Sequence, residues 1–412
     1  MNRRHYLALV GAAAGGASAG CLGTSPSDGS DTPSTQESAG TSASTSAPES
    51  ESTAASTAYT VETVASGFTN PWALTFLPDD SRLLVTERAG RLNLVDRDSG
   101  DTTPVSGAPD VFAAGQGGML DVALHPRYPD PDWVYLTYSV QSDGASTTAV
   151  GRGRLDLENA RLQEFERLHA AEPFVESAGH FGSRLAFDAD ERLYVTVGDR
   201  QFKDFGPDHT AQDLTTEHGV VLRFEADGSV PDDNPFVDDS DALDTIFSYG
   251  HRNPQGLTVH PETGDLWESE YGEQDGDEIN VLSRGANYGW PIADEGCTYG
   301  SGDPIGVSHD ERDDVVAPAY SWPCGSGGFP PGGMTFCSGT AFPAWEGQLF
   351  VGGLASQSIA RFSVTDREAT LEDRLLGDRG WRIRTVNEAP DTGHLYLAVD
   401  AGDAPIVRLR PA

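Results

Sequence analysis

Six pairs of short apolar segments recur along the chain, and a turn rich in Pro, Asp and Gly separates the two members of each pair. In the first pair, Leu74–Phe76 and Leu83–Val85 flank the turn Leu77-Pro78-Asp79-Asp80. Segments of this length, with continuous or alternating apolar residues between turn formers, predict β-hairpins. The other five pairs are 122–124 with 133–136, 185–187 with 193–195, 257–259 with 266–267, 334–336 with 349–351, and 383–385 with 395–397.

Hairpins that recur about every 60 residues predict an all-β fold, a six-bladed β-propeller whose blades are four-stranded antiparallel sheets. A large β-sandwich and a pair of β-barrels are the competing all-β arrangements. Helical periodicity is almost absent, and only residues 158–168 are a candidate for a short helix. In a propeller the loops converge on a central channel, so residues that are distant in sequence can meet there.

The N-terminal segment 1–21 predicts export. Arg3 and Arg4 precede a short apolar stretch, as in a twin-arginine signal, and Ala19-Gly20-Cys21 resembles a lipobox. Cleavage there would leave a lipidated Cys21 that anchors the protein to the outer face of the cell membrane; a plain cleaved signal is the alternative. Residues 22–58 are dominated by small, polar and acidic residues, which predicts a disordered linker. We therefore assign the propeller domain to residues 59–412.

The charge balance excludes one class of partner. The chain has 64 Asp and Glu residues against 27 Lys and Arg residues, for a formal net charge of −37. Such a surface repels nucleic acid and anionic lipid, so neither is expected as a partner. Contact with the membrane is expected only through the lipid anchor on Cys21. It favours a protein adapted to concentrated salt, which screens the repulsion. Lys203 is the only lysine, and we do not expect Schiff-base chemistry from it.

Three polar segments interrupt the apolar pattern. His180 opens the third hairpin and Asp199 follows it, so strand pairing would let Asp199 orient His180 as a base; a structural histidine is the alternative. Arg252, in the loop 248–256, could polarise a ligand oxygen or only bond nearby carbonyls. Segment 268–280 carries six carboxylates, which is typical either of a calcium site or of a solvated acidic face.

Three cysteines follow Cys21, an odd number for an exported protein. Cys297 and Cys324 lie in irregular Gly- and Pro-rich segments, whereas Cys337 lies in a predicted strand, so we predict a disulfide between Cys297 and Cys324. No pair has C-x-x-C spacing, which argues against a cysteine metal site. The chain also has no nucleotide-binding glycine motif before a helix and no Walker loop.

Taken together, several segments resemble the soluble pyrroloquinoline quinone (PQQ) dependent aldose sugar dehydrogenases, the glucose/sorbosone dehydrogenase family of six-bladed propellers. They follow the order of the family across essentially the whole of the predicted domain. The segments are Asn70–Leu74, Gly115–Val122, Gly179–Phe187, Pro231–Phe236, Gly250–Gly256, Gly276–Asn280 and Asn287–Pro291.

The resemblance implies an oxidoreductase that converts the C1 hydroxyl of an aldose to the lactone and passes electrons to an external acceptor. His180 would be the general base, Asp199 would orient it, and Arg252 would polarise a quinone carbonyl. The residues implied to bind PQQ are Gln116, Arg252, Asn253, Asp277, Tyr299, Ala355, Ser356, Arg382 and Arg384. Those implied to bind calcium are Gly272 and Glu273, through backbone carbonyls, with Glu278 and Tyr288 at a second site.

The chain departs from the family pattern at three positions. Ala355 stands where the family usually has a lysine, Gly179 where relatives often carry Asn or Asp, and Glu273 where proline is common. Two other functions stay open, namely a calcium-dependent lactonase and a non-catalytic propeller that binds polysaccharide or protein at the cell surface. Arg382 and Arg384 argue against the lactonase, because a lactone offers no carboxylates to bind.

Overall fold

Twenty-four β-strands build the part of the chain that the structure, a computed structural model, describes: residues 57–78 and 81–412. They form six sheets of four strands each, and neighbouring strands in a sheet are antiparallel, as between the second and third strands of the first blade. The predicted six-bladed propeller is confirmed, and the sandwich and paired-barrel alternatives are wrong.

The strands follow one another blade by blade. After β1 (Tyr59–Phe68), blade I contains β2 (Pro71–Phe76), β3 (Arg82–Glu87), β4 (Arg91–Asp96) and β5 (Thr102–Val105), and blade II contains β6 (Met119–Leu124), β7 (Trp133–Ser142), β8 (Ala145–Asp156) and β9 (Arg161–Ala170). Blade III contains β10 (Leu185–Phe187), β11 (Leu193–Val197), β12 (Val220–Phe224) and β13 (Ile246–Tyr249), and blade IV contains β14 (Pro254–Val259), β15 (Leu266–Glu270), β16 (Asp277–Val281) and β17 (Tyr320–Trp322). Blade V contains β18 (Pro331–Phe336), β19 (Leu349–Gly353), β20 (Ile359–Thr365) and β21 (Glu368–Leu375), and blade VI contains β22 (Ile383–Glu388), β23 (Leu395–Val399) and β24 (Ala404–Pro411). Helix in the described residues is limited to the 3-10 turns Thr210–Gln212, His309–Glu311 and Pro343–Trp345.

Strand β1 closes the ring, because it is the fourth strand of blade VI. It pairs antiparallel with β24, with Tyr59 opposite Pro411 and Val61 opposite Leu409. The first and last strands of the described chain therefore lie in one sheet, and their ladder hydrogen bonds hold the propeller shut.

The six predicted hairpins are the first two strands of the six blades. The second strands are the best buried examples, since every residue of β11 and β15 is buried, whereas the outer strand β21 exposes five of its eight residues. Apolar side chains also pack between blades, as Trp72 of blade I does with Met119 and Leu136 of blade II. Most buried positions of these strands are apolar, so the hairpins could be predicted from the sequence, although β15 ends in the buried polar residues Glu268, Ser269 and Glu270.

The helix considered for residues 158–168 is wrong, because this segment forms a turn and most of strand β9. β9 pairs with β8, and Leu162 lies opposite Leu155. Two register irregularities interrupt the pairing, and Glu164 has a left-handed backbone with φ 51°. Such bulges break the two-residue alternation that identifies a strand, and the remaining apolar spacing looks helical.

The predicted signal segment 1–21, with Cys21, lies outside the described residues, as does the linker 22–58 except for its last two residues. Both assignments stay predictions. Among the described residues, no helix is long and apolar enough to cross a bilayer.

Candidate active site

One end of the propeller collects the polar loops. Antiparallel pairing places the loop before the first strand of a blade beside the loop after its second strand. His180 precedes β10 and Asp199 follows β11, while Arg252 precedes β14 and Tyr271 follows β15. Gln116 precedes β6 in the same way. The ring of blades therefore brings these side chains to one end of the central channel.

His180 and Asp199 form a buried pair in this channel. Nδ1 of His180 lies 2.7 Å from Oδ1 of Asp199, and the indole Nε1 of Trp290 donates to the other carboxylate oxygen at 2.8 Å. The backbone N–H of His180 donates to Oε1 of Gln116 at 2.8 Å. His180 has φ 45°, a conformation that costs a non-glycine residue free energy and is concentrated at functional sites.

The electrostatic environment keeps His180 neutral and Asp199 ionised near neutral pH. Burial lowers the pKa of His180 against the opposing effect of Asp199, and Arg252 and Lys203 lower this pKa further. Burial alone would raise the pKa of Asp199, but His180, Arg252 and the Gln201 backbone N–H hold it below its usual value. With Nδ1–H donated to Asp199, Nε2 of a neutral imidazole is available to accept a proton.

Arg252 is buried beside this pair. Its Nη1 donates to the carbonyl of Tyr271 at 3.0 Å, and its Nη2 forms an ion pair with Glu273. The guanidinium carbon lies 5.1 Å from the ring centroid of Trp290. Glu273 forms a second ion pair with Lys203, so its carboxylate binds two cations of the protein.

A cavity of about 380 Å³, which we call the entrance cavity, opens over these groups. His180, Lys203, Glu273 and Tyr271 lie in its wall. Tyr299 stands in the same wall and is 69% exposed. Of the residues implied to bind PQQ, those in this wall are Gln116, Arg252, Asp277, Tyr299 and Ala355.

A second cavity, of about 180 Å³, shares Gln116 and Tyr271 with the first, and we call it the inner cavity. Arg88, Arg382 and Arg384 line it against a single carboxylate, Asp400. Arg384 donates to Asp400 at 2.8 Å and to Gln255 at 3.1 Å. Three guanidinium groups facing one carboxylate leave positive charge for an anionic ligand, so the residues present fit the carboxylates of PQQ.

Asn253 and Ser356 are in the described part of the chain but not in the walls of these two cavities. Oδ1 of Asn253 accepts from the backbone N–H of Gly182 at 3.2 Å, so Asn253 braces the backbone two residues beyond His180. Its Nδ2 and the Oγ of Ser356 are buried without a hydrogen-bond partner. A buried donor without a partner is uncommon in native proteins and indicates a place where a ligand or water is bound.

An acidic cluster lies beneath the entrance cavity and consists of Glu268, Glu270, Glu278 and Asp294, all buried. Burial, together with the repulsion between these carboxylates, raises the pKa of Glu268 and Glu278 well above the usual value and that of Asp294 to about 8. Oε1 of Glu268 and Oε1 of Glu278 have no hydrogen-bond partner. Buried carboxylates that repel one another match the ligand chemistry of a hard cation such as calcium.

The implied second calcium site falls within this cluster. Glu270, Glu278, Asp294 and Tyr288 line one small cavity. Both polar groups of Tyr288 already have protein partners: the phenol donates to the carbonyl of Val281 at 2.8 Å, and the backbone carbonyl lies 3.1 Å from Nε2 of His309. The fit to calcium at Glu278 therefore rests on the buried carboxylates of this cavity, and above all on the unpartnered Oε1 of Glu278.

The implied first calcium site, at Gly272 and Glu273, depends on backbone carbonyls alone. The carboxylate of Glu273 is bound by cations of the protein, as described above. The backbone N–H of Gly272 donates to Asp277 at 3.1 Å, and burial raises the pKa of Asp277 to about 6. The carboxylates of Glu273 and Asp277 already have protein partners at both oxygens or at cations, whereas Oε1 of Glu278 has none.

Several residues of the site were not singled out from the sequence. Trp290 contacts both Asp199 and Arg252, Asp400 holds Arg384, and Asp294 completes the acidic cluster. The position of Trp290 after an Asn-Tyr-Gly motif was the available signal for it. Asp400 and Asp294 had none, because acidic residues are common everywhere in this chain.

Two of the three described cysteines, Cys297 and Cys324, lie close to this region. Cys297 and Cys324 form a disulfide, with their Cα atoms 5.5 Å apart. Cys337 is free and buried, one residue after the end of β18. The disulfide ties the loop that carries Tyr299 to the segment after β17.

Comparison with known proteins agrees with this architecture. The sequence model of the family described as "Glucose / Sorbosone dehydrogenase" matches residues 68–408. The aldose sugar dehydrogenase YliI of Escherichia coli is 38% identical over 359 residues, which span 85% of this chain and 92% of the relative. The crystal structure of the E. coli soluble aldose sugar dehydrogenase in the apo form has a TM-score of 0.80 at 38% identity, covering 86% of this chain and 100% of that one. The PQQ-bound aldose sugar dehydrogenase of Streptomyces coelicolor has a TM-score of 0.69 at 28% identity, covering 86% and 98%.

Proposed function

The chain belongs to the glucose/sorbosone dehydrogenase family, and we propose that it is a PQQ-dependent dehydrogenase that oxidises the C1 hydroxyl of an aldose to the lactone. One observation carries the proposal: a neutral histidine held by a buried aspartate faces a cavity that adjoins an arginine-lined one. The first arrangement suits removal of a hydroxyl proton, and the second suits an anionic cofactor. A lactonase would have no use for Arg382 and Arg384.

His180 is the general base in this mechanism. Its Nε2 takes the proton of the C1 hydroxyl while Nδ1–H stays hydrogen-bonded to Asp199, which stabilises the imidazolium that forms. Trp290 holds the second oxygen of Asp199 and so keeps the carboxylate turned toward the ring. The sugar enters through the entrance cavity, where Tyr299 and Gln201 are within reach of it.

PQQ, when bound, supplies the acceptor for the hydride that leaves C1. Arg382 and Arg384 would hold its carboxylates, and Arg252 would lie beside the carbonyl that gains negative charge. Gln116, which lines both cavities, would contact cofactor and histidine backbone together. Calcium at Glu278 would neutralise the acidic cluster beneath the site, and backbone carbonyls of Gly272 and Glu273 would provide a further position.

We also propose that the enzyme is exported and anchored by a lipid on Cys21, with an external acceptor that removes the electrons. The twin arginines, the lipobox and the linker of residues 22–58 support this, and so does an acidic composition suited to concentrated salt. The same composition argues against nucleic acid as a partner.

The test is reconstitution. Apoprotein is mixed with PQQ and calcium in high salt, and dye reduction is measured with a panel of aldoses. We expect a cofactor absorbance spectrum that changes on addition of sugar, and turnover that requires PQQ. Hydrolysis of lactones without PQQ would favour the lactonase, and neither cofactor spectrum nor turnover would overturn the proposed dehydrogenase.

Removing calcium should destabilise the protein. A ligand present at 100 times its Kd and bound only to the folded state stabilises it by about 2.7 kcal/mol. We therefore expect chelation to lower the Tm in a thermal melt and added calcium to restore it, while magnesium, which requires tighter octahedral geometry, restores less. A Glu278→Gln variant should lose most of the calcium response; a response equal to that of the parent would place the ion elsewhere.

Introducing a lysine at position 355 should tighten PQQ binding. Ala355 is exposed in the wall of the entrance cavity, so the substitution has room and disturbs no packing. A charge-assisted hydrogen bond contributes about 1.5–3 kcal/mol, which corresponds to roughly 10- to 150-fold in Kd. The measurement is a titration of apoprotein with PQQ, with Ala355→Gln as the uncharged control of similar length; equal affinities for the two variants would contradict the electrostatic explanation.

A further inference from the structure

We propose that Lys203 is a positioning residue of the active site, acting through Glu273 to keep the positive charge of Arg252 available to the cavity. The inference deepens the proposed function and rests on it for its catalytic consequence. The underlying arrangement of charges can be tested without any cofactor or substrate.

Glu273 is the link in this arrangement. Its side chain is buried, and both of its carboxylate oxygens contact Nζ of Lys203, while Oε2 also contacts Nη2 of Arg252. Lys203 comes from the loop after β11, which also carries Asp199, and Glu273 comes from the loop after β15. The only lysine of the chain is thus placed where two polar loops of neighbouring blades meet.

The charges do not cancel in this group. Two cations share one carboxylate, so the group carries one net positive charge at the wall of the entrance cavity. Without Lys203, Glu273 would pair with Arg252 alone, and the pair would be neutral. Arg252 would then offer a weaker field both to a developing negative charge and to the neighbouring His180.

The same geometry argues against a purely structural role for Lys203. Its side chain is 51% exposed, and an ion pair with an exposed lysine contributes little to stability. His180, Asp199 and Arg252 are buried, and charges act more strongly there because the medium is less polarisable. Removing Lys203 should therefore change the properties of the site more than the stability of the fold.

The primary readout is the pKa of His180 in the apoprotein. It is measured by NMR on protein with labelled histidine, and the resonance is assigned with a His180→Gln variant. The charged groups that act on this ring are Asp199, Arg252 and Lys203. Since a cation disfavours imidazolium, Lys203→Gln should raise the pKa by roughly 0.5 unit. Lys203→Arg should leave it near the parent value, and Glu273→Gln should lower it.

The control is Arg127→Gln, which also removes one positive charge from an exposed ion pair, that with Glu191. Arg127 and Glu191 lie in turns between the first and second strands of blades II and III, at the opposite end of the propeller. This variant should leave the pKa of His180 unchanged. In the reconstituted enzyme, Lys203→Gln should lower kcat roughly 3- to 10-fold with little change in KM, because the charge acts on the transition state.

The outcomes separate the two proposals. A Lys203→Gln apoprotein whose His180 titrates like the parent, or a Lys203→Arg apoprotein that shifts as far as Lys203→Gln, overturns the role of Lys203. An opposite response of Lys203→Gln and Glu273→Gln supports it. If these shifts occur but no variant oxidises any aldose with PQQ, the charge coupling stands and the proposed dehydrogenase function fails.

Discussion

Replacing His180 with alanine is expected to lower kcat for aldose oxidation by about 10²- to 10⁴-fold while PQQ stays bound. The imidazole is the group in the entrance cavity whose lowered pKa leaves it neutral and able to accept the hydroxyl proton. Its side chain does not hold the arginines of the inner cavity, so cofactor affinity should change little. The measurement combines steady-state kinetics with a PQQ titration of the same preparation.

A matched control for this variant is His394→Ala. His394 lies in the turn between β22 and β23, at the end of the propeller away from the candidate site, so its loss should leave kcat near the parent value. If His180→Ala keeps full turnover, the base is misassigned. If it loses turnover only because PQQ no longer binds, His180 supports the cofactor site rather than proton transfer.

Replacing Asp199 with asparagine should lower kcat by a similar order, about 10²- to 10⁴-fold, by a different route. An ionised carboxylate accepts the proton of Nδ1 and leaves Nε2 free. An asparagine amide can donate to Nδ1 instead, which favours the tautomer with hydrogen on Nε2, where no proton can be accepted. The substitution would also remove the counter-charge of the imidazolium formed in the reaction. Because the site is buried, water cannot replace that charge.

The pH profile distinguishes this loss from simple disorder of the site. In the parent enzyme, kcat/KM should rise with pH through the lowered pKa of His180, so the midpoint of the rise should lie below pH 6.5, the ordinary value for histidine. In Asp199→Asn, loss of the carboxylate removes the group that opposes this lowering, so any residual activity should persist to still lower pH. A variant with the kcat and the pH profile of the parent would show that Asp199 matters only for packing.

The fold class was predictable because most residues of the first two strands of the blades are buried. Each of these strands carries a short apolar run, and the Pro-, Asp- and Gly-rich turns between them are short enough to be recognised from local sequence. The outer strands were harder, as β9 shows: an edge strand with bulges loses the alternation that identifies it. The pairing of β1 with β24 also had no local signal, since the two strands are separated by nearly the whole described chain.

The site was predictable in part. The nearness of His180 to Asp199 follows from strand pairing within one blade, and the resemblance of the polar loops to one family supplied their roles. The contacts of Trp290 with Asp199 and of Lys203 with Glu273 join loops of different blades. No periodicity encodes such contacts.

What the sequence alone determines in this protein is therefore distinct from what only the tertiary structure determines. The order of apolar and polar residues is enough for the number of blades and for the end of the propeller that carries the polar loops, because burial and strand pairing act over short stretches of chain. Which of the many acidic residues meets which of the few cations depends on the closed ring of blades. Ion pairing requires contact in space, and in a chain this acidic almost any carboxylate could have been the partner.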